Sequence, residues 1–158
     1  MPCKTTNRVA SAFVAAALAA GVTSSASAAD REVIVPDAWK RSYEDLHYAP
    51  AVRAGDLLIL SGVVAGLGPD PDDTDAAAGY DRAFKAIGQI LKEAGADWDD
   101  VVEIQTFHTD LPAQIAEFGA VKDRYIKEPY PAWTAIDIDR LYPDRGLVEI
   151  KITAYTGD

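Results

Sequence analysis

GLVEIKITAY, Gly146 to Tyr155, is the stretch that decides how the chain is read. Its residues alternate strictly. Val148, Ile150, Ile152 and Ala154 fall on one side, and Glu149, Lys151, Thr153 and Tyr155 on the other. A period of two is the signature of a β-strand with one buried and one open face. The apolar set must pack under something, which predicts a helical layer beneath this strand. The polar set must meet solvent or a second subunit.

Upstream the same logic continues. Pro131 to Ile138 also alternates, with Thr134, Ile136 and Ile138 opposed to Trp133, Ala135 and Asp137. The helices needed to cover the sheet are visible as well. From Ala76 to Ala94, Tyr80, Phe84, Ile87 and Leu91 recur at three- and four-residue spacing, with Thr74 or Asp75 as cap and Gly95 as stop. A second helix is predicted from the Asp110 cap, with Pro112 in its first turn, to about Lys127, turning Ile115, Phe118, Val121, Tyr125 and Ile126 inward. Asp100 to Asp110 reads as a strand between them. Near the start, Glu32 to Val35 reads as a short strand, Pro36 to Asp45 as irregular, and Ala49 to Gly66 as a hairpin turning at Ala54-Gly55-Asp56. In its second strand Leu57, Ile59 and Ser61 share a face, and the Leu57 to Ser61 run is expected to be mostly buried. The predicted order is β, β, β, α, β, α, β, β: an α+β domain with a mixed sheet and both helices on one face. An uncovered face carrying Trp, Leu, Ile and Tyr side chains would favour self-association.

The first residues are read differently. Lys4 and Arg8 precede an apolar, alanine-rich run from Val9 to Val22, and SASAAD (Ser25 to Asp30) offers small residues for cleavage after Ala28 or Ala29. That order predicts a secretory signal over residues 1–29, followed by one domain over 30–158 and a periplasmic or secreted location. The run is too short and too rich in alanine for a membrane anchor. The one cysteine, Cys3, would leave with the signal, and with it any disulfide or thiolate chemistry. Removing Lys4 and Arg8 leaves 13 basic against 25 acidic residues, a net charge of −12. With no basic cluster, such a chain repels phosphate backbones, and a nucleic-acid partner is disfavoured.

Familiar catalytic motifs are missing: there is no HExxH, GxSxG, P-loop or GxGxxG. His47 and His108 follow no ligand spacing, and His108, at a strand end before a helix cap, reads as a hydrogen-bonded structural residue. The aspartates between Asp70 and Asp75 lack the ordered spacing and glycine of a calcium loop, so Gly66 to Asp75 reads as a solvated turn. No metal and no cofactor is expected.

Four stretches together carry a resemblance: YAPAVRAGDLLILSG, LKEAGADWDDVVEIQTFHTDL, PYPAWTAI and GLVEIKITAY, in this order and separation. From Tyr48 to Tyr155 the chain resembles the Rid family, the reactive intermediate (enamine/imine) deaminases of the YjgF type. The resemblance implies a chorismate-mutase-like fold, a homotrimer and small-molecule pockets between subunits. It implies that Tyr48 and Ser61 line the pocket and that Glu149 positions a hydrolytic water. Where the family's deaminases have Pro-Ala-Arg, this chain has Pro131, Ala132 and Trp133. That arginine holds the carboxylate of 2-imino acids with a planar two-donor fork, which an indole cannot reproduce. Trp133 is therefore read as a substrate-binding residue of changed specificity, with a purely packing role, in core or interface, as the alternative. Arg140, Arg145 and Lys151 are the nearby cations that could substitute. The expected activity is hydrolysis of an imine or enamine with release of ammonia. The alternatives are a non-catalytic small-molecule-binding trimer and, less favoured by charge and by the lack of a histidine pair, a ribonuclease.

Overall fold

A computed structural model describes residues 31–157. The signal predicted over 1–29 lies outside the described residues. The strands are β1 (Arg31–Ile34), β2 (Ala51–Ala54), β3 (Leu57–Leu60), β4 (Val63–Gly66), β5 (Val101–His108), β6 (Ala132–Asp137) and β7 (Gly146–Tyr155). The helices are α1 (Lys40–Leu46), α2 (Ala76–Glu93) and α3 (Leu111–Lys122). The seven strands form one sheet in the order β1-β2-β3-β7-β5-β6, with β4 also paired to β7. Only β5 and β6 run parallel; the other pairs are antiparallel. This is the mixed α+β architecture expected.

The alternation of β7 organises the core. Val148, Ile150, Ile152 and Ala154 are buried, and they pack with α2 residues Tyr80, Phe84, Ile87 and Leu91. Asp75 caps α2 by accepting from the Ala78 N–H at 2.9 Å. Asp110 does the same for α3 through Ala113. Gly79 lets α2 approach β4, since a Cβ there would lie 2.4 Å from the Gly66 carbonyl oxygen. An aromatic cluster joins the two helices. Phe84 stacks on Tyr125 at 5.1 Å, and Tyr80 meets Phe118 edge-on at 5.3 Å. Burial pushes the Tyr80 hydroxyl up to about 12.

Four expectations are corrected. Residues 40–46 are helical rather than irregular. No side chain of α1 is buried, and it is edged by exposed pairs, Lys40 with Asp37 and Arg41 with Asp45, so it carries no apolar stripe to recognise. Helix α3 ends at Lys122, not near Lys127. Its last turn tightens, with the Arg124 N–H bonded to the Val121 carbonyl, although Ile126 still reaches the core. The run from Leu57 buries one face only: Leu58 and Leu60 are buried, whereas Leu57 and Ile59 are 42% and 39% exposed. Both helices lie on one side, which leaves the other side bare. That bare face does carry Val33, Leu57, Ile59, Ile136 and Tyr155, but not Trp133. Trp133 pairs in register with the buried Ile104 and faces Phe118 of α3, on the helix side.

Candidate functional site

An added residue in the β3–β4 edge builds the site. Ile59 pairs with Thr153 and Val63 with Ile150, so four steps along one strand face three along β7. The surplus is a bulge at Ser61 and Gly62, the kind of irregularity that re-aims side chains. The Ser61 hydroxyl donates to the Ala49 carbonyl at 2.7 Å, and the Ser61 N–H donates to the Pro50 carbonyl. The serine thus ties the bulge to the segment just after Tyr48. Gly62 makes room for Glu149: a Cβ on residue 62 would lie 1.8 Å from Glu149 Oε1. The sequence reading passed over Gly62. Its signal was a glycine next to the predicted pocket serine.

Glu149 opens onto a cleft of about 630 Å³ whose walls include Ser61, Gly62, Phe107, Arg140, Glu149 and Lys151. This is the open side of the sheet. Among the described residues neither Glu149 nor Lys151 is engaged in an ion pair, while Arg140 pairs with Asp144 at the surface. Tyr48 does not line the cleft within one chain; its neighbour Ala49 does. Of the three substitute cations, Arg140 and Lys151 reach Glu149's cleft and Arg145 does not. Arg145 is held by the carbonyls of Gly68 (2.9 Å), Asp70 (3.0 Å) and Asp73 (2.6 Å), and so clasps the acidic turn.

Trp133 sits elsewhere. Its cleft of about 210 Å³ lies on the helix side, walled by Ile104, Lys122, Ile126, Tyr130 and Pro131. Its indole N–H donates to Thr106 Oγ1 at 3.0 Å and is therefore already engaged within the chain. The Lys122 ammonium stands 5.0 Å from the ring centroid and pairs with Asp123 at 2.6 Å. Lys122 thus places a cation against the residue read as standing in the arginine's place, and the sequence reading missed it because it comes from another element, α3. Thr106 Oγ1 also lies 3.0 Å from Nε2 of His108, which is fully buried. Burial lowers its affinity for a proton, and that outweighs the opposing effects of its bond to Gln114 and the charge of Asp137. The arrangement within one chain is therefore two clefts on opposite faces of the sheet, one bearing a carboxylate beside cations and one an aromatic ring beside a lysine. No helix among the described residues is long and apolar enough to cross a membrane.

Fold and cleft together define an α+β protein with an open cleft beside a bulged strand. Residues 41–156 match the sequence model of the family described as Endoribonuclease L-PSP. The chain belongs to that family, the Rid/YjgF group. It is similar to the RutC family protein YjgH of Escherichia coli (strain K12), 31% identical over 110 residues covering 69% of this chain and 84% of that one. It is 35% identical over 118 residues to the 2-iminobutanoate/2-iminopropanoate deaminase of Capra hircus, covering 70% of this chain and 80% of that one. The solved structure of YJGH superposes with a TM-score of 0.70 at 30% identity, covering 81% of this chain and 98% of that one. RidA from Psychrobacter sp. PAMC 21119 superposes at 0.60 with 31% identity, covering 68% and 87%.

Proposed function

We propose that the protein is an imine or enamine hydrolase acting in the Glu149 cleft. The observation that carries this reading is the carboxylate of Glu149 seated over Gly62 beside Ser61, in a cleft of about 630 Å³ with Lys151 and Arg140 on its wall. A water held by Glu149 adds through its oxygen to the C=N carbon while Glu149 takes its proton. The nitrogen gains protons, the C–N bond breaks, and the products are a carbonyl compound and ammonia. Lys151 supplies positive charge on the wall that also holds Arg140, itself paired with Asp144, so an imine bearing a carboxylate is compatible with the cleft despite the tryptophan in the arginine's place. Relatives carrying the deaminase name support the reaction class.

A complete site needs more than one copy on this reading. Trp133 lies on the helix side of β6 and Glu149 on the open side of β7, so only a neighbouring chain can bring them to one cleft. The exposed apolar residues Val33, Leu57, Ile59, Ile136 and Tyr155 give the open face reason to be covered by such a neighbour. Tyr48, beside the cleft-lining Ala49, completes the wall in that assembly. We take the assembly to be a homotrimer, exported through the signal over residues 1–29.

The test is ammonia release by protein lacking residues 1–29, from 2-iminobutanoate and 2-iminopropanoate formed in situ and from neutral imines, with Glu149→Gln as control. Turnover abolished by Glu149→Gln supports the reading. Binding without turnover that survives Glu149→Gln would instead make the protein a non-catalytic binder. RNA cleavage sensitive to the same substitution would overturn both.

A further inference from the structure

A partly buried polar chain crosses the helix side of the sheet, and the proposed hydrolysis does not use it. Trp133 Nε1–H donates to Thr106 Oγ1 at 3.0 Å. His108 Nε2 lies 3.0 Å from that oxygen, and His108 Nδ1 lies 3.2 Å from Gln114 Oε1. Gln114 Nε2 donates to Thr109 Oγ1 at 3.0 Å, and Thr109 Oγ1 donates to the Leu147 carbonyl at 3.1 Å. Thr106 and His108 are both fully buried.

The two ends fix the direction of every bond between them except that of Thr106 with His108, which distance decides. An indole nitrogen can only donate, and a carbonyl oxygen can only accept. Starting from Leu147, the Thr109 hydroxyl must give its proton away and accept from the Gln114 amide. That turns Gln114 Oε1 toward His108, so Nδ1 carries a proton. Starting from Trp133, Thr106 Oγ1 accepts the indole N–H and can give its own proton to His108 Nε2. The other use of that proton, toward the Thr134 carbonyl, is longer at 3.5 Å. Both directions meet on one state, a neutral imidazole protonated at Nδ1. Phe118, edge-on at 5.2 Å, fixes the plane of that ring.

We propose that His108, in its neutral Nδ1–H form, is a positioning residue: it locks the indole of Trp133 and, through Gln114 and Thr109, the start of β7 two residues before Glu149. Trp133 sits on an edge strand with 39% of its surface exposed, so packing alone holds it from one side. The chain supplies the missing constraint and ties it to the strand bearing the carboxylate. Its role in turnover rests on the reading that Glu149 performs the chemistry; its geometry does not.

The experiment has a spectroscopic arm and a kinetic arm. In 15N NMR of the protein at pH 7, His108 shows a protonated Nδ1 and an unprotonated Nε2, and the Trp133 indole N–H, assigned with Trp133→Phe, exchanges slowly. Gln114→Met removes the acceptor at Nδ1 and moves the proton to Nε2. Thr106→Val speeds indole exchange by about tenfold or more. Each of these two variants lowers kcat/KM for 2-iminobutanoate by about tenfold through kcat, measured well below a Tm that falls by several degrees as polar groups lose their partners. An Nε2–H tautomer or an imidazolium in the wild type overturns the proposal. So does unchanged kcat/KM in both variants of a protein that turns over. Should the wild type hydrolyse no imine, the reading of Glu149 falls, and the NMR arm alone decides whether His108 holds the indole.

Discussion

Gly62 offers the most direct test of the Glu149 cleft. In Gly62→Ala the new Cβ would lie 1.8 Å from Glu149 Oε1, 2.6 Å from Cδ and 2.8 Å from Cγ. Ordinary contact between such atoms is about 3.5 Å, so the carboxylate must retreat by more than about 1.5 Å. The collision is with the end of a flexible side chain and not with backbone, and Gly62 is not in the left-handed region. The cost to the fold is therefore an off-rotamer Glu149, about 0.5–1.5 kcal/mol, opposed by about 0.4–1 kcal/mol from the stiffer unfolded chain. Tm should stay within about 5 °C of the wild type. Activity has no such compensation: a misplacement of about 1 Å at a reacting group costs about 100-fold, or about 2.7 kcal/mol of barrier. The assay is kcat/KM for ammonia release beside a thermal melt, in Gly62→Ala, Glu149→Gln and the double variant. The double variant should be no slower than Glu149→Gln alone, because the alanine acts only through the carboxylate. A fully active Gly62→Ala, or losses that add in the double variant, would refute the reasoning.

Three other outcomes follow from the same geometry. Ile59→Asp puts a charge on the bare sheet face without touching the core, so where the wild type runs as the proposed trimer, light scattering should show monomers with an unchanged far-UV spectrum; an unchanged mass would show that this face is not the interface. Arg145→Met frees the carbonyls of Gly68, Asp70 and Asp73 from their common guanidinium, so hydrogen exchange over 67–75 should quicken and stability should fall by about 1–3 kcal/mol, with kcat/KM retained because Arg145 lies outside the Glu149 cleft. His108 is held below the ordinary histidine range in the folded protein, so between that lowered value and about 6.5 the unfolded chain binds the extra proton. Stability from this residue is present above about pH 6.5 and is lost as pH falls below it, at up to about 1.4 kcal/mol per pH unit; urea unfolding from pH 7.5 to 4.5 should show this slope in the wild type and its loss in His108→Gln.

The β7 alternation, the apolar stripe of α2 and the caps at Asp75 and Asp110 were legible because each is a local pattern with a local cause. What escaped depends on neighbours that no local pattern encodes. The alternation of 131–138 showed that Trp133 and Thr134 must face opposite ways, but only parallel pairing with β5 decides which way is inward. The bulge at Ser61 and Gly62 arises from a register fixed at both ends by β7, and reading Leu57 to Ser61 as one unbroken strand hides it. Helix α1 escaped for a simpler reason, having no buried face to leave a period in the sequence.

On the proposed reading, the cations leave neither the Glu149 cleft nor the Trp133 cleft without positive charge. Lys151 stands two residues from Glu149 on the same strand and face, so their Cα atoms are about 7 Å apart and the tips can flank a three-carbon ligand. Lys122 lies on the other side of the sheet, stacked on the indole and already balanced by Asp123. The two lysines therefore cannot substitute for each other within one chain. If a substrate carboxylate is read by Lys151, Lys151→Met should raise KM for 2-iminobutanoate about tenfold or more while leaving neutral imines unaffected. Lys122→Met should instead disturb both classes alike, through the seating of Trp133. The reverse pattern would place carboxylate recognition on the Trp133 side, carried across the subunit boundary to Glu149.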